Sequence, residues 1–151
     1  MTKIPCSTRK YIRGEFFPFV TFFLSVGPLN RSIEALVDTG SPFTVLGPRD
    51  VLTSRLPITK MKKGETVSLA GYQFFRHPFG KATLTFRTEV GEIFRVELDP
   101  LYILVPTRTD RLMMRNLEHI PSIIGNDFLR THGLALCFKP SKEEAYLEVL
   151  S

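Results

Sequence analysis

Apolar positions along this chain fall into short runs separated by Gly, Pro and polar residues, a pattern that predicts strands and turns rather than long helices. Residues 16–26 read as one long strand, residues 27–30 (Gly-Pro-Leu-Asn) as a turn, and residues 31–37 as the returning strand of a hairpin. Residues 42–46 give a third, short strand. Pro48 can open a brief helix that runs to Leu56, with Val51, Leu52 and Leu56 on one side, and Pro57 stops it. Lys62-Lys63-Gly64 is a turn. Residues 66–69 and 81–87 read as strands, with an aromatic-rich stretch, residues 70–80, looping between them. Residues 92–97 and 102–105 give two more strands. Residues 107–121 are charged, with Leu112, Met113 and Leu117 offering one or two helical turns. Residues 127–132 read as a short helix, with Asn126 or Asp127 near its start and Gly133 as its stop. Residues 134–138 and 145–150 form a terminal hairpin. Its last strand is apolar on both faces and needs a cover, supplied either by a second chain or by packing within one. Residues 1–14 are polar and read as an N-terminal arm ahead of a single domain over residues 15–151.

Composition supports a folded, β-rich domain. The 151 residues are 43% hydrophobic and 23% charged, long enough to bury a substantial core. Thirteen Phe, eleven Pro and ten Gly argue for an aromatic interior with many turns and against a helical bundle. The net charge of +5 makes the surface basic, but the cations are scattered (Arg9-Lys10, Lys60, Lys62-Lys63, Arg108, Arg111, Arg115) and form no run that predicts nucleic-acid binding. Cys6 and Cys137 do not make a disulfide framework, and a reducing compartment is the expectation. The start, Met1-Thr2-Lys3-Ile4-Pro5, lacks the apolar core of a signal peptide, and no run is long enough for a spanning helix. A cytoplasmic, soluble protein is therefore expected, with no membrane partner. The three His (77, 119, 132) lack metal-ligand spacing, and no nucleophile elbow or phosphate-binding loop occurs, so no metal and no cofactor are expected.

The residues that carry chemistry are Asp38-Thr39-Gly40-Ser41, set between the apolar runs Ala35-Leu36-Val37 and Phe43-Thr44-Val45-Leu46. A carboxylate placed beside apolar surface is costly unless it is hydrogen-bonded or paired. As a plain turn, Asp and Gly would need no further explanation. A second signal lies far downstream, Ile123-Ile124-Gly125-Asn126-Asp127-Phe128-Leu129, and the two in this order are much harder to ascribe to chance.

Together the two segments resemble the retropepsin-like aspartic proteases, and the second is closer to cellular and prokaryotic members than to retroviral ones. The resemblance implies a mainly β, single-lobe acid-protease fold, a closed β-barrel with one or two short helices, active as a symmetric dimer. It implies that Asp38, Thr39 and Gly40 form the catalytic loop, with Thr39 bracing paired loops across the two-fold axis. It further implies that Ser41, Gly71, Tyr72 and Ile124 meet a peptide or protein substrate, that residues 70–80 form a mobile flap with Gly71 near its tip, and that the apolar pair before Gly125 packs across the catalytic loop. The Ser41 hydroxyl would donate to Asp38. Pro42 and Asn126 stand where retroviral members carry an intrachain ion pair, which is therefore missing here.

This chemistry needs two carboxylates around one water, one ionised to take its proton and one protonated to polarise the scissile carbonyl. At ~3 Å and an effective dielectric constant of ~20, two ionised carboxylates repel by roughly 5 kcal/mol, so the pair shares a proton. None of the other Asp (50, 99, 110, 127) precedes Thr-Gly or Ser-Gly. Asp127, near a helix start, reads as a capping residue. The second carboxylate must then come from Asp38 of an identical chain. The rival readings are a non-catalytic dimerisation or peptide-binding module on the same fold, which intact Asp-Thr-Gly argues against, and a nucleic-acid binder, which rests on net charge alone.

Overall fold

The strands register into one sheet whose order brings the two ends of the sequence pattern together. A computed structural model of the chain describes residues 2–11, 13–61 and 63–150. Ten strands pair in the order β5-β6-β7-β4-β8-β3-β2-β1-β10-β9. In sequence they are β1 (Thr2–Lys10), β2 (Phe16–Val26), β3 (Leu29–Asp38), β4 (Val45–Leu46), β5 (Glu65–Leu69), β6 (Tyr72–Arg87), β7 (Ile93–Pro106), β8 (Ser122–Gly125), β9 (Leu134–Lys139) and β10 (Glu144–Val149). Helices α1 (Pro48–Thr53), α2 (Arg111–Leu117) and α3 (Asn126–Thr131) fill the connections. The architecture is mainly β, as expected, with three short α-helices rather than one or two. A further β2–β6 pairing (Phe23↔Thr85, Leu24↔Leu84, Ser25↔Thr83) curls the sheet back on itself, while β5 and the β1-β10-β9 group extend beyond that ring.

Several expected breaks are absent. β6 runs unbroken through the segment expected to loop at residues 70–80, and the strands expected at 92–97 and 102–105 are one, β7. Pro78 and Gly80 punctuate the sequence, but they sit at register shifts in the β6–β7 ladder, where a bulge admits a residue without an N–H and one with φ of +147°. The turn expected over 27–30 is shorter, because Val26 already pairs with Leu29. The expected turn at 62–64 falls partly outside the described residues. The expected polar arm over 1–14 is instead largely strand. Residues Thr2–Cys6 pair with β10, Ser7–Lys10 pair with β2, and Ile4 lies in the core. The single apolar Ile4 was too short a signal to reveal this. β10 is thereby flanked on both edges within one chain, by β1 and β9, and Ala145 and Leu147 bury one of its faces. Cys6 and Cys137, on the two strands that flank β10, are both free thiols, and burial pushes Cys6 up to about 12.

Two apolar clusters hold the sheet. The larger joins Val20, Leu24, Ile33 and Val37 to Phe86, Ile103, Ile124 and Phe128. The smaller joins Leu36, Val45 and Ile123 to Phe74, Leu104, Leu117 and Ile120. Alternation along β3 splits Leu36 and Val37 between them. Among the described residues no helix is long and apolar enough to cross a membrane.

A buried polar knot ties α1 to β8. Pro48 occupies the first helical turn as the sequence indicates, and Asp50 beside it is only 3% exposed. The Ser122 hydroxyl donates to Asp50 Oδ2 at 2.6 Å and accepts the Gly47 N–H at 2.9 Å. Arg49 pairs with the same carboxylate at 3.1 Å, and its Nη2 also donates to the Glu34 carbonyl. Removing one member of such a buried pair strands the others. Asp50→Ala is expected to lower the unfolding free energy by about 3 kcal/mol, read by urea denaturation.

Candidate active site

Asp38 is the last residue of β3, and a parallel ladder to β8 fixes it there. Ala35, Leu36, Val37 and Asp38 pair in order with Ser122, Ile123, Ile124 and Gly125. The two segments singled out in the sequence are thus neighbouring strands, in register at Asp38 and Gly125. The side chain of Asp38 is half-buried, whereas Thr39 and Gly40 are exposed at the tip of the loop. The Gly40 N–H donates to Asp38 Oδ1 at 2.9 Å, and the Ser41 N–H donates to the Asp38 carbonyl at 3.1 Å. Among the described residues no donor reaches Asp38 Oδ2.

The loop after Asp38 is held from behind. The Asn126 N–H donates to the Ser41 carbonyl at 2.7 Å. The Thr44 hydroxyl donates to Asp127 Oδ1 at 2.8 Å and accepts the Gly125 N–H at 2.9 Å. Asp127 Oδ1 also accepts the Phe128 N–H at 2.8 Å, and the Thr44 N–H reaches Oδ2 at 3.3 Å. Asp127 therefore sits in the first turn of α3, with Gly125 at the N-cap, and serves as a brace between α3 and the loop rather than as the cap itself. Gly125 must be glycine for space, because a Cβ there would run into the carbonyl oxygens of Phe43 and Ser41. Beside Asp127, burial against Phe128, whose ring centroid is 4.5 Å away, holds His132 below its ordinary value, partly offset by the Asp127 carboxylate.

Two sequence-based expectations differ here. The Ser41 hydroxyl does not donate to Asp38. It donates to the Phe43 carbonyl at 2.9 Å and accepts the Phe43 N–H at 3.3 Å, so it stiffens its own loop. Ile124 is 1% exposed and belongs to the larger core cluster, so it offers no surface to a substrate. Its pairing with Val37 turns it inward, leaving Ile123 in the smaller cluster beside Leu36.

The β5–β6 hairpin is the other half of the constellation. Leu69 pairs with Tyr72, so its tip is Ala70-Gly71, both at positive φ (52° and 82°), the turn geometry that matches strand twist. Gly71 thus stands at the tip, where the family resemblance puts it, although the turn is two residues rather than a loop over 70–80, and Tyr72 follows it. Cross-strand pairs Leu69–Tyr72, Val67–Phe74 and Glu65–Arg76 share one face. Leu69, Val67, Tyr72 and Phe74 pack into the cluster that contains Leu36 and Ile123, two residues from Asp38 and Gly125. The hairpin therefore leans on the same side of the sheet as the Asp38 loop. α2, capped by Asp110 through the Met113 N–H, closes one flank through Leu117 and Met113. Between the hairpin tip and α2 lies a hollow of about 190 Å³ with a mixed wall, Tyr72, Met113 and Leu117 facing Gln73, Thr107 and Arg108. Sequence reasoning missed this wall and the Thr44–Asp127 brace; the short helical pattern at Leu112, Met113 and Leu117 was the one local signal for the former. Among the described residues no group of three or more His, Cys, Asp or Glu side chains converges as a metal site.

No family model and no curated protein matches the chain. Among solved structures, a retropepsin-like aspartic protease from Rickettsia conorii is similar in fold, with a TM-score of 0.50 and 18% identity over 96% of this chain and 89% of the other.

The brace generates a direct test. In Thr44→Val the Gly125 N–H and the Asp127 carboxylate lose their shared partner, and stability is expected to fall by about 2 kcal/mol, measured by chemical denaturation.

Proposed function

We propose that the chain is an aspartic endopeptidase that acts as a homodimer, with Asp38 of each copy flanking one catalytic water. The observation that carries this reading is the state of Asp38. It closes a rigidly braced strand, has one oxygen oriented by the Gly40 N–H, and lies beside an exposed Thr39-Gly40 tip that a second copy would meet. A lone carboxylate so held has no acid–base counterpart among the described residues. A two-fold axis beside Thr39 supplies one.

In this reading the shared proton resides on one Asp38 and the other is ionised. The ionised carboxylate takes a proton from the water as its oxygen attacks the scissile carbonyl carbon. The protonated one gives its proton to the carbonyl oxygen, producing a neutral tetrahedral diol. Collapse returns a proton to the leaving nitrogen and breaks the C–N bond. No covalent enzyme intermediate forms. The substrate lies extended beneath the β5–β6 hairpin, which acts as the flap, and the hollow beside α2 receives one of its side chains.

Activity per chain is expected to rise with protein concentration until dimers dominate, and Asp38→Asn is expected to retain below about one thousandth of the wild-type rate on peptides. Peptide cleavage assayed across a monomer–dimer transition followed by analytical ultracentrifugation checks both. Flat specific activity through the transition contradicts the shared site. A wild-type chain that dimerises and binds peptide without cleaving it would instead favour a binding module.

A further inference from the structure

Arg76 is the one cation on the inner face of the β5–β6 hairpin among the described residues, two positions along β6 from Phe74 and four from Tyr72. Its guanidinium carbon lies 4.7 Å from the ring centroid of Phe43 and 4.2 Å from that of Tyr102. Phe43 belongs to the loop that leaves Asp38 and is 38% exposed, so Arg76 spans from the hairpin to the candidate catalytic loop. Stacking between two rings strips water from the cation and fixes the plane of its fork.

The fork is only half used. Nη2 donates to Glu65 at 2.9 Å, while Nε–H, on the same edge of the guanidinium, is buried with no acceptor. A buried donor left without a partner is costly, and the Nε–Nη2 edge is one that a carboxylate grips with two parallel hydrogen bonds. Glu65, which engages one of the two, lies on the outermost strand of the sheet and is 67% exposed, against 17% for Arg76. An exposed partner at single-point contact is readily displaced.

Resting on the peptidase reading above, we propose that Arg76 selects substrates bearing a carboxylate, held by the Nε–Nη2 edge after Glu65 swings away. The carboxylate comes from an Asp or Glu side chain or from a peptide C-terminus. The net charge of +5 would favour the encounter with such acidic peptides.

The test uses short peptide pairs that differ only in Glu against Gln, each with a free or an amidated C-terminus. Cleavage is measured with the wild type, and binding by fluorescence anisotropy with the full-length Asp38→Asn chain. A carboxylate is expected to improve cleavage and binding about tenfold or more over its amide twin. Arg76→Gln should abolish that preference, Arg76→Lys should retain only part of it, and Glu65→Gln should widen it by removing the internal competitor; thermal melts of each variant report folding. Preference that tracks the Glu side chain, or the free terminus, supports the proposal and identifies the source. Twins bound and cut equally by wild type and by Glu65→Gln overturn it, and if that cutting needs Asp38 the peptidase reading stands. Absence of any Asp38-dependent cutting, with the Arg76-dependent binding preference intact, removes the peptidase and keeps the carboxylate site.

Discussion

The parallel pairing of Asp38 with Gly125 is the constraint on which the rest of the structure depends. It joins the ends of β3 and β8, brings two distant sequence segments into register, and packs a Cα hydrogen where any side chain would strike the Phe43 and Ser41 carbonyls. Because no Cβ intervenes, the Asn126 N–H reaches the Ser41 carbonyl and the Gly125 N–H reaches Thr44. The loop between Asp38 and β4 is thereby fastened at both of its carbonyl turns, and the carboxylate is oriented before any ligand arrives. Preorganisation of this kind is what acid–base chemistry requires of its groups.

Around that clamp the smaller apolar cluster acts as a shared floor. Leu36, Val45 and Ile123 come from the clamp, Phe74 and Tyr72 from the hairpin, and Leu117 with Met113 from α2. The hairpin and α2 are therefore positioned relative to Asp38 by packing rather than by sequence proximity. Arg76 adds a polar counterpart at the hairpin base, where the inner face meets Phe43. The same surface thus offers a hydrogen-bonding carboxylate, a hollow of mixed polarity and a half-used guanidinium edge. This is a suitable combination for reading an extended peptide, in the function proposed for the chain.

Local signals carried much of this fold, and their failures share a cause. Asp38-Thr39-Gly40 announced a loop at a strand end, Gly133 at φ of +62° announced the end of α3, and Gly71 at φ of +82° marks a hairpin tip; the two positive-φ positions have backbone geometry that glycine adopts without strain. Pro78 and Gly80 misled, because a bulge absorbed both without ending β6. Residues 1–14 misled because only Ile4 in β1 is deeply buried, too little for a period to show. Partners chosen by register are invisible in sequence. The Ser122–Asp50 bond, the Thr44–Asp127 brace and the Arg76 stack each join residues far apart in the chain. Ser41 and Ile124 show the same limit at the candidate site: their types fit a substrate-facing role, yet the Phe43 backbone engages the Ser41 hydroxyl and the pleat buries Ile124.

The central claim is that one active centre needs Asp38 from two chains, and mixed dimers test it most directly. Wild type and Asp38→Asn chains are refolded together in varied ratios at constant total concentration, and peptide cleavage is measured for each mixture. A shared centre predicts activity that falls as the square of the wild-type fraction, since only dimers with both carboxylates work. Activity that falls in simple proportion to that fraction, with subunit exchange demonstrated, would contradict the account.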